Sequence, residues 1–216
     1  MSGAVKICGV KSATAIDAAA HAGATHVGFN FYPGSPRYVV PEDAGRLAAR
    51  TPGLRSVALT VDADDETLHA ISAGLHPDMW QLHGDETPER VTAVRNMFRV
   101  PVIKAIAIES KVDMARAYTY EQCADWLLFD AKPGALPGGN GLAFDWRLIA
   151  DETWTKPWFL SGGLTPENVA EAIHIAHARG VDVSSGVEKS RGEKDPARIE
   201  QFALRARAAF AESLKS

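Results

Sequence analysis

Strand-length apolar runs alternate with helix-length stretches eight times along this chain, and that alternation restricts its fold more than any other feature. The runs are VKICGV (5–10), HVGFNFY (26–32), RSVALTV (55–61), MWQLHG (79–84), PVIKAIAI (101–108), DWLLFDA (125–131), PWFLSG (157–162) and GVDVSSGV (180–187). They are rich in Val, Ile, Phe and Leu and mostly continuous, as strands are when both faces of a sheet are covered. Between them stand helix start signals. Thr87-Pro88-Glu89, Thr165-Pro166-Glu167 and Asp195-Pro196 each offer a capping side chain and then proline, so helices are expected from Pro88, Pro166 and Pro196. Val40-Pro41-Glu42-Asp43 is a weaker version, residues 13–22 and 169–178 are dense in helix formers, and a long amphipathic helix is expected over 196–214.

Strict β-then-α alternation requires parallel strands joined by helical crossovers. Eight such units share 216 residues, 27 to a unit. The fold class expected is therefore α/β, a closed (β/α)8 TIM barrel at the compact end of its size range. A doubly wound open sheet competes, but it would carry a glycine fingerprint after the first strand, and CGVKSA is not one. With no linker or low-complexity segment, residues 1–216 read as a single domain. The five tryptophans, Trp80, Trp126, Trp146, Trp154 and Trp158, are expected between sheet and helices.

Composition narrows the partners. Net charge is −4, which speaks against general affinity for nucleic acid or an anionic membrane. Two cysteines, Cys8 and Cys123, far apart and without C-x-x-C spacing, make neither a disulfide framework nor a zinc site and suit a reducing cytoplasm. No targeting signal and no run of about 20 apolar residues is seen. A monomer and a homodimer both fit.

In such a barrel the chemistry belongs at the C-terminal ends of the strands. Those ends carry Cys8, residues 30–37, Asp62, Gln81 and His83, Asp130, Ser161-Gly162-Gly163, and Asp182 through Gly186. LSGGL after the seventh strand and VSSGVE after the eighth read together as a phosphate site: glycine lets the backbone approach the oxygens and serine adds hydroxyl donors. Either piece alone also makes an ordinary turn. Cys8 by residue type is a small buried hydrophobe, and by position a nucleophile or proton acceptor. Asp130 follows the apolar run of DWLLFDAKPG and is poorly solvated unless it faces the mouth; it pairs with Lys132 or caps a turn, or is a carboxyl that burial leaves with a proton to donate near neutrality. Arg37 is a surface arginine or a bidentate partner for a substrate carboxylate. GALPGGNG (134–141) is a lid with glycine hinges or a flexible turn, and lacks the ending of a P-loop. His174 and His177, three apart on an outer helix, read as solvated surface rather than a metal pair.

The motifs KICGV, GFNFYPGSPRYV, QLHGDE, PVIKAI, LLFDAKPG with GGNGLAFDW, LSGGLTPENV, and GVDVSSGVE with GEKDPARI run from first strand to last helix in one order. Together they resemble the phosphoribosylanthranilate isomerase family. The resemblance implies an Amadori rearrangement of the phosphosugar N-(5-phosphoribosyl)anthranilate to 1-(2-carboxyphenylamino)-1-deoxyribulose 5-phosphate, in tryptophan biosynthesis, with no metal or organic cofactor. By similarity Asp130 is the general acid that opens the furanose ring. Cys8 is the general base that removes the C2 proton, with Gly9 leaving room for the sugar. Arg37 holds the anthranilate carboxylate, and Gly162, Gly163, Ser184, Ser185 and Gly186 hold the phosphate. Asn30, Gly34, Thr60 and Asn140 depart from the residues usual at those places. Two rivals stand beside this reading: the phosphosugar isomerase of histidine biosynthesis, which has aspartate where Cys8 stands, and a non-catalytic phosphosugar-binding barrel, which needs neither Cys8 nor Asp130.

Overall fold

A computed structural model describes residues 3–131 and 146–213. Eight parallel strands close into a barrel, β1 (Ala4–Cys8), β2 (His26–Asn30), β3 (Arg55–Thr60), β4 (Met79–Leu82), β5 (Val102–Ile108), β6 (Trp126–Ala131), β7 (Trp158–Ser161) and β8 (Gly180–Val183), with β8 paired back onto β1. Between and after them run α1 (Ala13–His21), α2 (Pro41–Ala48), α3 (Asp65–Leu75), α4 (Pro88–Phe98), α5 (Lys111–Glu121), α6 (Arg147–Ala150), α7 (Val169–Ala176) and α8 (Pro196–Ser213). The alternation read from the sequence is thus the architecture observed.

The continuous apolar runs have a two-layer explanation. Val57, Met79, Ile103, Ala105, Leu128 and Phe159 point inward and fill the barrel floor. Their chain neighbours, among them Ala58, Trp80, Val102, Leu127, Phe129 and Leu160, point outward into the shell packed under the helices. Four of the five tryptophans join that shell, but Trp126 does not: it packs on the floor cluster and stacks on Phe159 with ring centroids 5.0 Å apart. The period-2 parity of β6 decides this, since Asp130 and Trp126 share the inward face.

Helix starts follow the capping chemistry in two of the three expected cases. Thr87 accepts from the Arg90 amide at 3.3 Å, and Asp195 from the Ala197 amide at 2.9 Å. The third differs: α7 begins at Val169, not Pro166. Asn168 explains the delay, accepting from the Thr165 amide (2.8 Å) and donating to the Gly163 carbonyl (3.0 Å), which makes 165–168 a turn that braces the preceding loop. Strand eight stops at Val183 rather than at Val187, because Ser185–Val187 coil into one 3-10 turn. His174 and His177 lie exposed on α7 and its cap. The proposed lid at 134–141 lies outside the described residues.

His26, at the foot of β2, packs edge-on against Trp126 and Phe159 inside the floor. Thr25 Oγ1 already donates to the Val5 carbonyl, so at 2.7 Å it accepts from His26 Nδ1, leaving Nε2 buried without a partner. The ring is therefore neutral. Burial first, then the charges of Lys6 and Arg55, hold it down to about 4 despite the opposing pull of Asp78. An unfolded chain binds this proton below about 6.5, whereas the folded one resists until about 4, so stability falls as pH drops through that window. The expected loss is about 3 kcal/mol between pH 7 and 4. Urea unfolding of wild type and His26→Leu across that range measures it; parallel pH curves for the two would remove His26 as the cause.

Candidate active site

The C-terminal mouth of the barrel opens on a cavity of about 570 Å³, within the range of small-molecule sites. Cys8, Arg37, Asp130, Gly162, Gly163, Ser184 and Ser185 all line it, together with Asn30, Gln81, His83, Ser161 and Asp182. Gly186 does not. A Cβ there would sit 1.8 Å from the Leu164 carbonyl oxygen, so its glycine lets the turn after β8 press against the loop after β7. Arg198 donates to the Gly186 carbonyl at 3.1 Å and pins that turn from α8. A second hollow, over the loop after β3, is a shallow surface depression lined by Asp62, Asp64, Asp65, Glu66 and Arg90, with Arg90 already paired to Asp65.

Cys8 ends β1 at 5 % exposure, and Lys6 lies two residues earlier on the same inward face, fully buried. A Cβ on Gly28 of the adjacent strand would meet Cys8 Sγ at 2.9 Å and Lys6 Nζ at 3.1 Å, so sulfur and ammonium flank one glycine. Lys6 Nζ donates to Asp182 Oδ1 at 2.8 Å, and Asp182 Oδ2 accepts from Ser161 Oγ at 3.2 Å. Burial pushes the Cys8 thiol up; Lys6 pulls it down, Asp182 adds to the rise, and Lys194 opposes it more weakly. The net direction is upward, so the free protein holds a thiol at neutrality. Burial also opposes the charge on Lys6, but the Asp182 carboxylate, joined by Cys8 once it is ionised, outweighs it and keeps the ammonium.

Asp130 faces this cluster across the mouth from β6. It is not enclosed by apolar neighbours as its sequence context suggests: 31 % of its side chain is open, and His83 Nε2 stands 3.4 Å from Oδ2. His83 Nδ1 lies 2.8 Å from Gln81 Nε2, so the amide fixes the ring that faces the carboxyl. Lys132, the partner expected for Asp130 from the sequence, lies outside the described residues.

Arg37 reaches the mouth from the loop after β2. Its Nε and Nη2 donate to Glu188 Oε1 and Oε2 at 2.6 and 2.9 Å, a bidentate pair with a carboxylate of the protein's own. One edge of the guanidinium is thus taken, and among the described residues no hydrogen bond is seen on the Nη1 side. Gly9, with φ of 74°, accommodates this arginine and not a ligand: a Cβ there would lie 2.6 Å from Arg37 Cδ. Across the mouth, Gly162 and Gly163 adopt φ of 90° and 64°, conformations that disfavour any side chain and leave bare backbone facing the cavity.

Lys6, Asn168, Glu188 and Lys194 were not singled out from the sequence. Parity alone could have found Lys6, two residues from Cys8 in one strand. Glu188 and Lys194 lie past the barrel on a short hairpin, β9 (Glu188–Ser190) and β10 (Glu193–Lys194); both stand in quoted motifs, VSSGVE and GEKDPARI, but nothing local pairs them with each other or with Arg37.

Among the described residues no three metal-ligating side chains gather into a site, and no helix is long and apolar enough to cross a membrane. The family model for N-(5'-phosphoribosyl)anthranilate (PRA) isomerase matches residues 5–204. The chain is 52 % identical over 207 residues to the N-(5'-phosphoribosyl)anthranilate isomerase of Cereibacter sphaeroides, covering 94 % of this chain and 98 % of that one. The crystal structure of phosphoribosyl anthranilate isomerase from Thermotoga maritima is similar with a TM-score of 0.86 at 36 % identity, covering 95 % of this chain and 99 % of that one. Another phosphoribosyl anthranilate isomerase structure, in complex with reduced 1-(o-carboxyphenylamino)-1-deoxyribulose 5-phosphate, matches with a TM-score of 0.83 at 35 % identity and the same coverage.

Proposed function

The chain belongs to the N-(5'-phosphoribosyl)anthranilate isomerase family of tryptophan biosynthesis, and on that premise we propose that Asp130 and Cys8 are the general acid and general base of its isomerisation. The observation that carries the assignment is geometric: a thiol from β1 and a carboxyl from β6, 122 positions apart, line one cavity. Both are groups that move protons, and binding alone needs neither. The absence of aspartate at position 8 weighs against the histidine-pathway isomerase.

The steps follow from the placement. Asp130 gives its proton to the furanose ring oxygen as the anilino nitrogen lone pair breaks the C1–O bond, leaving a protonated Schiff base. That electron-poor centre acidifies the C2 hydrogen. Cys8, as thiolate, takes it, and the electron pair forms an enolamine that tautomerises to the ketone. One proton is given and one taken, so the turnover is proton-neutral and needs no redox partner or cofactor. The reaction is an aldose–ketose isomerisation within one molecule. Each proton transfer is worth roughly 10²–10⁴-fold.

The substrate has a phosphate at one end and a carboxylate at the other. Gly162, Gly163, Ser184 and Ser185 would take the phosphate, with Gly186 shaping the turn they stand on. The free side of Arg37 would take the carboxylate. The sugar carbons then lie between Cys8 and Asp130. A cytoplasmic setting suits a buried, reduced thiol in this role.

Two measurements test the reading. Loss of phosphoribosylanthranilate fluorescence should require this chain, and growth of a tryptophan auxotroph should be rescued by it. Alkylation of Cys8 by iodoacetamide should slow at least about tenfold with saturating product, since a bound ligand covers a thiol that faces the same cavity. Equal labelling with and without product would move Cys8 out of the site.

A further inference from the structure

Four donors converge on Glu188: Arg37 Nε (2.6 Å) and Nη2 (2.9 Å), the Gly192 amide (3.0 Å) and Lys194 Nζ (2.9 Å). A carboxylate offers about four acceptor positions, so Glu188 is saturated by the protein and free to take nothing from a ligand. Its side chain is 5 % exposed. These contacts hold it as an anion, down to about 2 even though burial pushes the other way. Lys194 in turn donates to the Ser184 carbonyl (2.9 Å) and to Ser184 Oγ (3.2 Å). One carboxylate–ammonium pair therefore ties the arginine on the loop after β2 to the serine on the loop after β8. The hairpin that carries the pair is pressed onto the first loop as well: Gly192, at φ of 82°, leaves no room for a Cβ beside the Pro36 carbonyl.

We propose that Glu188, braced by Lys194, is the positioning residue that makes Arg37 specific for the substrate carboxylate and holds the carboxylate and phosphate sites at a fixed separation. The proposal rests on Arg37 being the carboxylate partner. An unbraced arginine has four rotatable bonds and can swing toward either anionic end of a ligand. Here one edge of its planar fork is bonded to Glu188 and its stem packs on Gly9, so only the remaining edge is presented. Ordering the side chain before the ligand arrives removes that cost from binding. Arg37 and Lys194 are two cations on the single anion Glu188, so this cluster keeps a net positive charge of one for the ligand.

The test compares two ligands on each protein: the reduced product analogue, 1-(o-carboxyphenylamino)-1-deoxyribulose 5-phosphate in reduced form, and the same molecule without its carboxyl group. The ratio of their dissociation constants isolates the carboxylate contact, because loss of folded protein affects both alike. In Glu188→Gln the ratio should fall at least about fivefold while the decarboxylated ligand binds as in wild type. Glu188→Asp keeps the charge at shorter reach and should restore part of the ratio; it carries the comparison should the glutamine variant not fold. Arg37→Met should abolish the ratio. If Arg37→Met abolishes it and the Glu188 variants keep the wild-type value, the positioning role is wrong and the assignment of Arg37 stands. If Arg37→Met keeps the ratio, the assignment of Arg37 itself falls. Equal weakening of both ligands in the Glu188 variants would make the residue merely structural and overturn the proposal.

Discussion

Asp130→Asn and Cys8→Ala should each lower kcat by about 10²–10⁴-fold while product binding changes little. Asparagine keeps the size and much of the hydrogen-bonding surface of Asp130 but has no acidic proton to transfer to the ring oxygen. Alanine at position 8 removes the only group of the first strand end that can take a proton from carbon. Neither residue is placed to hold the phosphate or the carboxylate, so the loss belongs in kcat more than in affinity. Product titration of both variants, beside turnover followed by substrate fluorescence, separates the two effects. A variant that turns over at the wild-type rate would strike that residue from the mechanism. A parallel collapse of product affinity would instead make it a binding residue.

What could be read from the sequence follows from the range over which each interaction acts. The barrel was legible because its determinants are local: continuous apolar runs, capping residues and a fixed spacing repeat along the chain. The mouth was legible as a consequence, since the fold itself ranks residues by strand end. Pairings across the barrel were not. Arg37 and Glu188 are 151 positions apart, and nothing near either residue states that the arginine's fork is already occupied. Gly9 shows the same limit: a glycine after the thiol suggested space for sugar, and the space belongs to Arg37. Asn168 overrode a strong Thr-Pro-Glu start signal because its side chain serves the loop after β7 instead of the helix. Trp126 packs on the barrel floor because strand parity, not residue type, sets the face it points to.

The Lys6–Asp182 pair beneath the thiol sets opposite expectations for its two halves. Because burial holds the Cys8 thiol up, the rate of Cys8 alkylation should rise with pH past neutrality, until the thiolate is fully formed. Lys6→Met removes the strongest opposing cation, so the thiol should titrate higher still, with turnover at neutral pH falling by more than about tenfold. It also leaves Asp182 buried beside a methionine, at a cost of about 3–5 kcal/mol in unfolding free energy. Asp182→Asn removes a carboxylate that raises the thiol and leaves Cys8 as the anionic partner of Lys6, so the thiol should titrate lower than in wild type. The rate of Cys8 alkylation against pH reads both shifts without substrate, and so without any contact Asp182 makes to a ligand. A pair that only stabilises the barrel would move both curves in the same direction or leave both in place; displacement to opposite sides of the wild-type curve is the signature of a pair that sets the charge on the thiol.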